Sequence, residues 1–68
     1  HKDVLKLLAY NVKYIRNTQM KLSQEHFAVH CGLTLRAISA LERCKGSDLY
    51  TITKIAHFVG KPVSALLS

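Results

Sequence analysis

Two short helical patterns that meet at a glycine constrain the fold of this chain more than any other feature. Ser23 is a typical helix N-cap, and Glu25 follows in the first turn, where a negative charge suits the helix dipole. Gly32 stands where a glycine commonly ends a helix, and Thr34 is a second N-cap. The pattern therefore predicts one helix from Ser23 to Gly32 and another from Thr34 to about Cys44, joined by a sharp four-residue turn.

The apolar positions within these two helices predict which of their faces meet. The small Ala28 lets the two helices approach closely, and Leu33 fills the turn between them. Gly32 supplies the positive φ angle that so sharp a turn needs. The residues predicted to face inward are Phe27, Ala28, Cys31, Leu33, Ile38 and Leu41.

Helical periodicity also governs the rest of the chain. Residues 3–19 carry apolar side chains at steps of three and four, which predicts a long first helix. A short joint follows at 20–22, and residues 45–48 form a polar loop. A fourth helix ends at Gly60, and Pro62 lies near the start of a short fifth helix. Since alternating strand patterns are absent from the sequence, the predicted fold is all-α with five helices.

Length and charge limit the class of protein. With 68 residues the chain allows one domain, residues 1–68, and excludes a two-domain enzyme. Ten Lys and Arg residues against four Asp and Glu residues give a formal charge of +6, which favours an anionic partner such as phosphate. The sequence holds no run of about 18 apolar residues, so no membrane span is expected. We regard His1 as a tag remnant or cut site without a role, and the two cysteines as reduced thiols of a cytoplasmic protein.

The third predicted helix has an outward arc that suits nucleic acid. At about 100° per residue, Ala37, Ile38 and Leu41 form its core face, and Leu35 lies between the two arcs. The outward-facing residues are Arg36, Ser39, Ala40 and Arg43. Arginine side chains bind guanine edges or phosphate, and small side chains permit close approach to a duplex. The alternative is an ordinary solvated helix surface or, for Leu35, the flank of the core.

Five segments form a specific pattern around these helices. They are Leu22 to Ala28 (LSQEHFA), Cys31 to Thr34 (CGLT), Ile38 to Arg43 (ISALER), Ile52 to Ala56 (ITKIA) and Pro62 to Leu67 (PVSALL). Together they resemble the Cro and lambda-repressor type of helix-turn-helix family, and the resemblance covers residues 11–67. The stretch from Ile38 onward is also similar to the small controller proteins of restriction–modification systems, which belong to the same family.

This resemblance implies a five-helix bundle, with the helix-turn-helix at about 23–44, that binds double-stranded operator DNA, usually as a dimer. In the family, the glutamine that opens the second helix contacts the phosphate backbone. The start of the third helix and the residues one turn later reach base edges, and the residues after the helix make further contacts. The implied DNA-binding residues are Gln24, Thr34, Leu35, Arg36, Ser39, Ala40, Arg43 and Lys45.

Three positions depart from the family pattern. Many members have glycine where Cys44 stands, whereas here the glycine follows two residues later, at Gly46. The joint before Leu22 is one residue longer than is common. An arginine often pairs with the glutamate of the third helix, and here Arg16 is the nearest candidate to pair with Glu42.

Other kinds of chemistry are disfavoured. His26 and His30 have the i, i+4 spacing of a metal pair, but Cys31 is predicted to point inward and a third ligand lacks motif spacing. Neither a metal nor a cofactor is therefore expected. His57 is expected to be partly buried, and Cys44 is interpreted as a small apolar filler, with a redox switch as the alternative. The sequence shows no acid–base pair or nucleophile arrangement, so an enzyme is not expected.

The predicted function is a sequence-specific transcriptional regulator, bacterial or phage-encoded, whose third helix reads a near-palindromic operator. A homodimer is expected through Val63, Leu66 and Leu67, with Phe58 or Tyr50 as additional contacts. The alternative for these residues is that they only close the core. Two alternatives stay open for the function, namely a protein-interaction module such as an antitoxin or co-regulator, and the N-terminal domain of a longer repressor.

Overall fold

Five α-helices and one π-helical turn make up the regular structure of residues 2–68. The computed structural model describes the backbone of residues 2–68 and the side chains of residues 4–68, so His1 lies outside the described residues. The helices are α1 (Lys2–Tyr14), α2 (Gln24–Cys31), α3 (Leu35–Glu42), α4 (Leu49–Val59) and α5 (Val63–Leu66). No strand occurs between residues 2 and 68, and the predicted all-α, five-helix fold is confirmed.

A π-helical turn continues α1 from Ile15 to Gln19. The amide of Met20 donates to the carbonyl of Ile15 at 2.8 Å, which is the i to i+5 bond of a π-turn. A π-turn takes up one more residue than an α-turn. The joint before Leu22, one residue longer than the family pattern, is therefore accommodated within the helix rather than as an extra loop.

Side-chain caps begin three of the helices. The Ser23 hydroxyl oxygen accepts the amide of His26 at the start of α2, at 3.1 Å. The Thr34 oxygen accepts the amide of Ala37 in the same way at the start of α3. Both predicted N-caps are confirmed. Asp48, which was predicted only as part of a polar loop, caps α4 by accepting the amide of Thr51 at 2.8 Å.

Left-handed glycines end α2 and α4. Gly32 (φ +75°) and Gly60 (φ +72°) do so at the predicted positions. Only three residues, 32–34, separate α2 from α3, rather than the predicted four. The prediction that α3 runs to about Cys44 was wrong, because α3 ends at Glu42 and Cys44 itself has a φ of +62°.

The hydrogen bonds around Cys44 show why the helix stops there. Its amide donates to the carbonyl of Leu41 at 3.1 Å, and the amide of Lys45 donates to that of Ala40 at 2.9 Å. These two bonds satisfy carbonyl groups in the last turn of α3, and the helical hydrogen-bond pattern does not continue beyond them. The Cys44 side chain is exposed, so its interpretation as an apolar filler of the core was wrong.

The core lies between the helices, where α1 packs against α3 and α5, and α2 packs against α3 and α4. Its fully buried large side chains are Val12, Phe27, Ile38, Leu41, Ile55 and Leu66. Leu66 is 0% exposed within one protomer, because α5 packs against both α1 and α4. Its side chain therefore offers no surface to a second copy, which corrects its place in the predicted dimer surface. Val63 and Leu67 are half-buried and pack against the same core.

Among the described residues, none of the helices combines the length and the apolar character needed to cross a bilayer.

Candidate nucleic-acid interface

The rotation of α3 is fixed by two buried side chains. Ile38 is 0% exposed and Leu41 is 1% exposed, and both belong to the hydrophobic core. Because these residues anchor one side of the helix, Arg36 on the opposite side is exposed to solvent. Leu35 is 47% exposed, so about half of its side chain lies outside the core.

The smaller residues of the outward arc are partly covered. Ser39 and Ala40 are half-buried rather than fully exposed. Both side chains are short, whereas Arg36 and Arg43 on the same arc are long. Arg43 is exposed at the end of α3, and its Nε lies 3.4 Å from the carbonyl oxygen of Ser39, to which it donates.

Thr34 has a structural task at the start of α3. Its hydroxyl oxygen accepts the amide of Ala37, so only the hydroxyl hydrogen and the second lone pair stay available to another group. At the other end of the helix, Lys45 is exposed in the loop that follows the left-handed Cys44. The predicted residues thus flank the outward arc of α3 at both ends.

A buried ion pair joins α1 to the end of α3. The Nε of Arg16 donates to Oε2 of Glu42 at 2.6 Å, and its Nη2 donates to Oε1 at 3.1 Å. The Nη1 of the same arginine donates to the carbonyl of Leu22, at 2.7 Å, just before α2 begins. The predicted pairing of Arg16 with Glu42 is confirmed. Charge-assisted bonds of this forked kind are strong and geometrically specific.

Gln24 is the first residue of α2 and is tied to the same carboxylate. Its Nε2 donates to Oε1 of Glu42 at 2.9 Å. The side chain is half-buried, because one side of its amide faces Glu42. The predicted phosphate ligand is therefore already hydrogen-bonded inside the protein, a partnership that the sequence analysis did not foresee.

Two of the three acidic residues in 24–48 are engaged with other groups. Glu42 is the only acid of α3, and its side chain is 3% exposed and paired with Arg16. Asp48 is occupied as the cap of α4, and its pKa is lowered, chiefly by the side-chain hydrogen bond to Thr51. Of the acidic residues in 24–48, only Glu25 is an exposed carboxylate outside such an arrangement. The exposed charged residues of α3 and of its C-cap are Arg36 and Arg43.

The histidines and Cys31 occupy separate environments. His26 lies with Nδ1 3.1 Å from the Ser23 hydroxyl, whereas His30 stacks on the ring of Phe58 with centroids 5.5 Å apart. Cys31 is buried, and desolvation raises the pKa of its thiol to about 11. Among the side chains of residues 4–68, no group of three or more His, Cys, Asp and Glu residues is placed to hold a metal ion.

Some features of this region were missed or wrongly placed from the sequence. His57 is exposed, whereas it was expected to be partly buried. Leu49 and Tyr50 are 72% and 63% exposed at the start of α4. Tyr50 was expected only as an additional dimer contact, and Leu49 had no expected role. The burial of Arg16 had a visible signal, because it lies four residues after the buried Val12 on the same face of the helix.

The fold and this surface define a five-helix protein with a helix-turn-helix formed by α2 and α3. No protein-family model and no curated relative matches the chain. It is similar to a solved structure, the crystal structure of a hypothetical transcription factor, NHTF, from Neisseria. The two are 33% identical with a TM-score of 0.83, over 96% of this chain and 75% of that one. The chain belongs to the same family as this Neisseria protein.

Proposed function

We propose that the protein is a sequence-specific, DNA-binding transcriptional regulator of the Cro and lambda-repressor type. The observation that carries this proposal is the exposed arc of α3, where Arg36 and Arg43 stand opposite the buried Ile38 and Leu41. The description of the Neisseria relative as a hypothetical transcription factor supports a regulatory role. The formal charge of +6 adds non-specific attraction to phosphate.

In this proposal α3 enters the major groove. Arg36 forms a bidentate contact with a guanine and Leu35 contacts a thymine methyl group, a proposal supported by the exposure of both side chains near the start of the helix. Ser39 and Ala40, one turn later, keep the surface low enough for the helix to approach the base edges. Thr34 contributes its free hydroxyl hydrogen to an acceptor at the edge of the groove.

The second helix lies across the phosphate backbone in the same proposal. Gln24 at its first position donates to a phosphate, where the N-terminal amides of α2 also favour an anion. Arg43 and Lys45 hold the backbone at the far end of α3. These contacts set the register of the protein and carry little sequence information, whereas those of Arg36 and Leu35 specify the site.

We further propose a two-fold dimer on a near-palindromic operator, because one small domain makes too few base contacts for high specificity. Half-sites are then centred about one helical turn apart, ~34 Å. Leu66 is fully buried in the core, so the proposed dimer surface consists of the exposed parts of Val63 and Leu67. Tyr50 is a further exposed candidate. The proposed role is binding, without catalysis.

The test compares Arg36→Ala with Lys61→Ala, which also removes one positive charge. Lys61 follows the C-terminal end of α4, whereas the loop from α3 joins the N-terminal end of that helix. Affinity is measured by fluorescence anisotropy on a duplex selected from a random pool. Arg36→Ala should cost about 1–3 kcal/mol of binding free energy and relax the preference at one base position. Lys61→Ala should change affinity little. Unchanged affinity of Arg36→Ala for the selected duplex would contradict the proposed placement of α3.

A further inference from the structure

We infer that Glu42 is a positioning residue, whose buried carboxylate presets the side-chain amide of Gln24 for a phosphate oxygen. This inference rests on the proposed function and assigns a role in it to a residue that lies behind the DNA-facing surface. The single contact that motivates it is the 2.9 Å hydrogen bond from Nε2 of Gln24 to Oε1 of Glu42.

The carboxylate is held in place by a residue of another element. Arg16, on the π-turn that continues α1, donates to both oxygens of Glu42, and its third bond goes to the carbonyl of Leu22. The side chain of Glu42 is 3% exposed, so the carboxylate is shielded from water and relies on these protein donors. Gln24 therefore meets an acceptor whose position is set by the packing of α1 against α3.

The chemistry of the two groups allows only one orientation of the amide. An ionised carboxylate accepts hydrogen bonds and donates none, so the nitrogen of the Gln24 amide must face Glu42 and the oxygen must face away. One hydrogen of Nε2 is used in this bond, and the second stays available for a phosphate oxygen. Glu42 disfavours the flipped amide and restricts the rotamers of Gln24. The side chain therefore loses less conformational entropy when it binds DNA.

Electrostatic repulsion alone would make Glu42 unfavourable for DNA binding. Glu42 carries a negative charge close to the place where the phosphate would bind, so its removal should strengthen binding by reducing repulsion. A positioning role means that neutralising it weakens binding, because the amide of Glu42→Gln has a single acceptor oxygen for which Arg16 and Gln24 compete, and Gln24 becomes more mobile. The sign of the effect therefore separates the two accounts.

A double-mutant cycle on the selected duplex tests this sign. The variants are Glu42→Gln, Gln24→Ala and the two combined, with Glu25→Gln as the matched control, since it neutralises an exposed acid next to Gln24. Gln24→Ala should weaken binding about five- to tenfold. Glu42→Gln should weaken binding at least threefold in the wild-type background and have no effect in the Gln24→Ala background. Glu25→Gln should bind equally or slightly more tightly.

A second measurement needs no substitution, because Glu42→Gln disturbs the ion pair with Arg16 and can unfold the domain. Nitrogen-15 relaxation of the side-chain amides of the free wild-type protein compares Gln24 with Gln19, which is exposed on the π-turn. The order parameter of the Gln24 amide should be well above that of Gln19, which is expected below about 0.6.

The outcomes separate the two proposals. Equal mobility of the two glutamine amides, or an equal effect of Glu42→Gln in both backgrounds, overturns the positioning role while duplex binding stands. Wild-type protein that binds neither selected nor scrambled duplex overturns the proposed function itself. Tighter binding by a folded Glu42→Gln variant means that the carboxylate only repels the phosphate, which also overturns the positioning role.

Discussion

Arg16 and Glu42 connect the first and third helices through a pair of hydrogen bonds, 2.6 Å from Nε to Oε2 and 3.1 Å from Nη2 to Oε1. Both side chains are nearly fully buried, at 10% and 3% exposed. The same carboxylate also accepts the amide of Gln24. The pair thus ties the core to the surface from which the protein is proposed to contact DNA.

Breaking this pair on one side should be strongly destabilising. Arg16→Met leaves the carboxylate of Glu42 buried without its partner, which should cost about 3–5 kcal/mol of unfolding free energy. The double variant Arg16→Met/Glu42→Leu should recover most of this loss, because no charge then stays buried. Urea unfolding followed by circular dichroism checks both. Lys13→Met, an exposed position on α1, serves as the control and should change stability little. A loss below about 1 kcal/mol for Arg16→Met would contradict the buried pairing.

Glycine should be a better residue than cysteine at position 44. Cys44 has a φ of +62°, a conformation that costs a residue with a Cβ roughly 1–2 kcal/mol. Glycine would remove this cost, but its greater conformational freedom in the unfolded chain offsets part of the benefit. Cys44→Gly should therefore stabilise the protein by about 0.5–1 kcal/mol. Cys44→Ala keeps the Cβ and controls for the loss of the thiol. Thermal unfolding midpoints that rank Cys44→Ala at or above Cys44→Gly would contradict the left-handed turn.

Asp48 should make stability depend on pH in the acidic range. Its pKa is lowered in the folded state, chiefly by the side-chain hydrogen bond to Thr51, so the folded protein favours the ionised carboxylate. Its contribution is complete above the unfolded pKa, about 3.9, and is lost as the pH falls through the lower folded value. Asp48→Asn preserves a cap without this titration. As the pH is lowered from about 5 to about 2, the midpoint of thermal unfolding should fall less steeply for Asp48→Asn than for wild type. Parallel curves would show that the cap contributes no such dependence.

The two cysteines should differ in reactivity. Cys31 is buried and its pKa is raised to about 11 by desolvation, so its thiol stays protonated at neutral and mildly alkaline pH. Cys44 is exposed in the turn after α3. Alkylation of the native protein near pH 8, read by mass spectrometry, should add one group, and a denaturant should expose the second thiol. The Cys44→Ala variant should take up none in its native state. Rapid native labelling of Cys31 would contradict its place in the core.

Local signals account for what the sequence predicted well. Ser23, Thr34, Gly32 and Gly60 each act within one helix turn, through a side chain that caps an amide or a glycine that adopts a positive φ. Such features depend on a few neighbouring residues, and they set the helix-turn-helix on which the candidate interface stands.

Features that depend on distant parts of the chain were harder to predict. The left-handed turn at Cys44 falls on a residue with a Cβ, so no glycine marks the end of α3. The π-turn follows from fitting one more residue between the core face of α1 and the start of α2. The bond between Gln24 and Glu42 joins residues 18 positions apart in sequence, and its existence follows only from the packing that brings α3 beside α2.

Duplex binding with sequence discrimination is the most direct test of the proposed regulator. Fluorescence anisotropy should compare a duplex selected from a random pool with a scrambled duplex at two salt concentrations. The proposal predicts affinity about 10³-fold or more higher for the selected duplex, with a stoichiometry of two chains. If about five phosphates are neutralised per protomer, log K per protomer should fall against log salt with a slope of about −4 to −5. Equal, weak and salt-sensitive binding to both duplexes would contradict the proposal and leave only a basic surface that attracts phosphate.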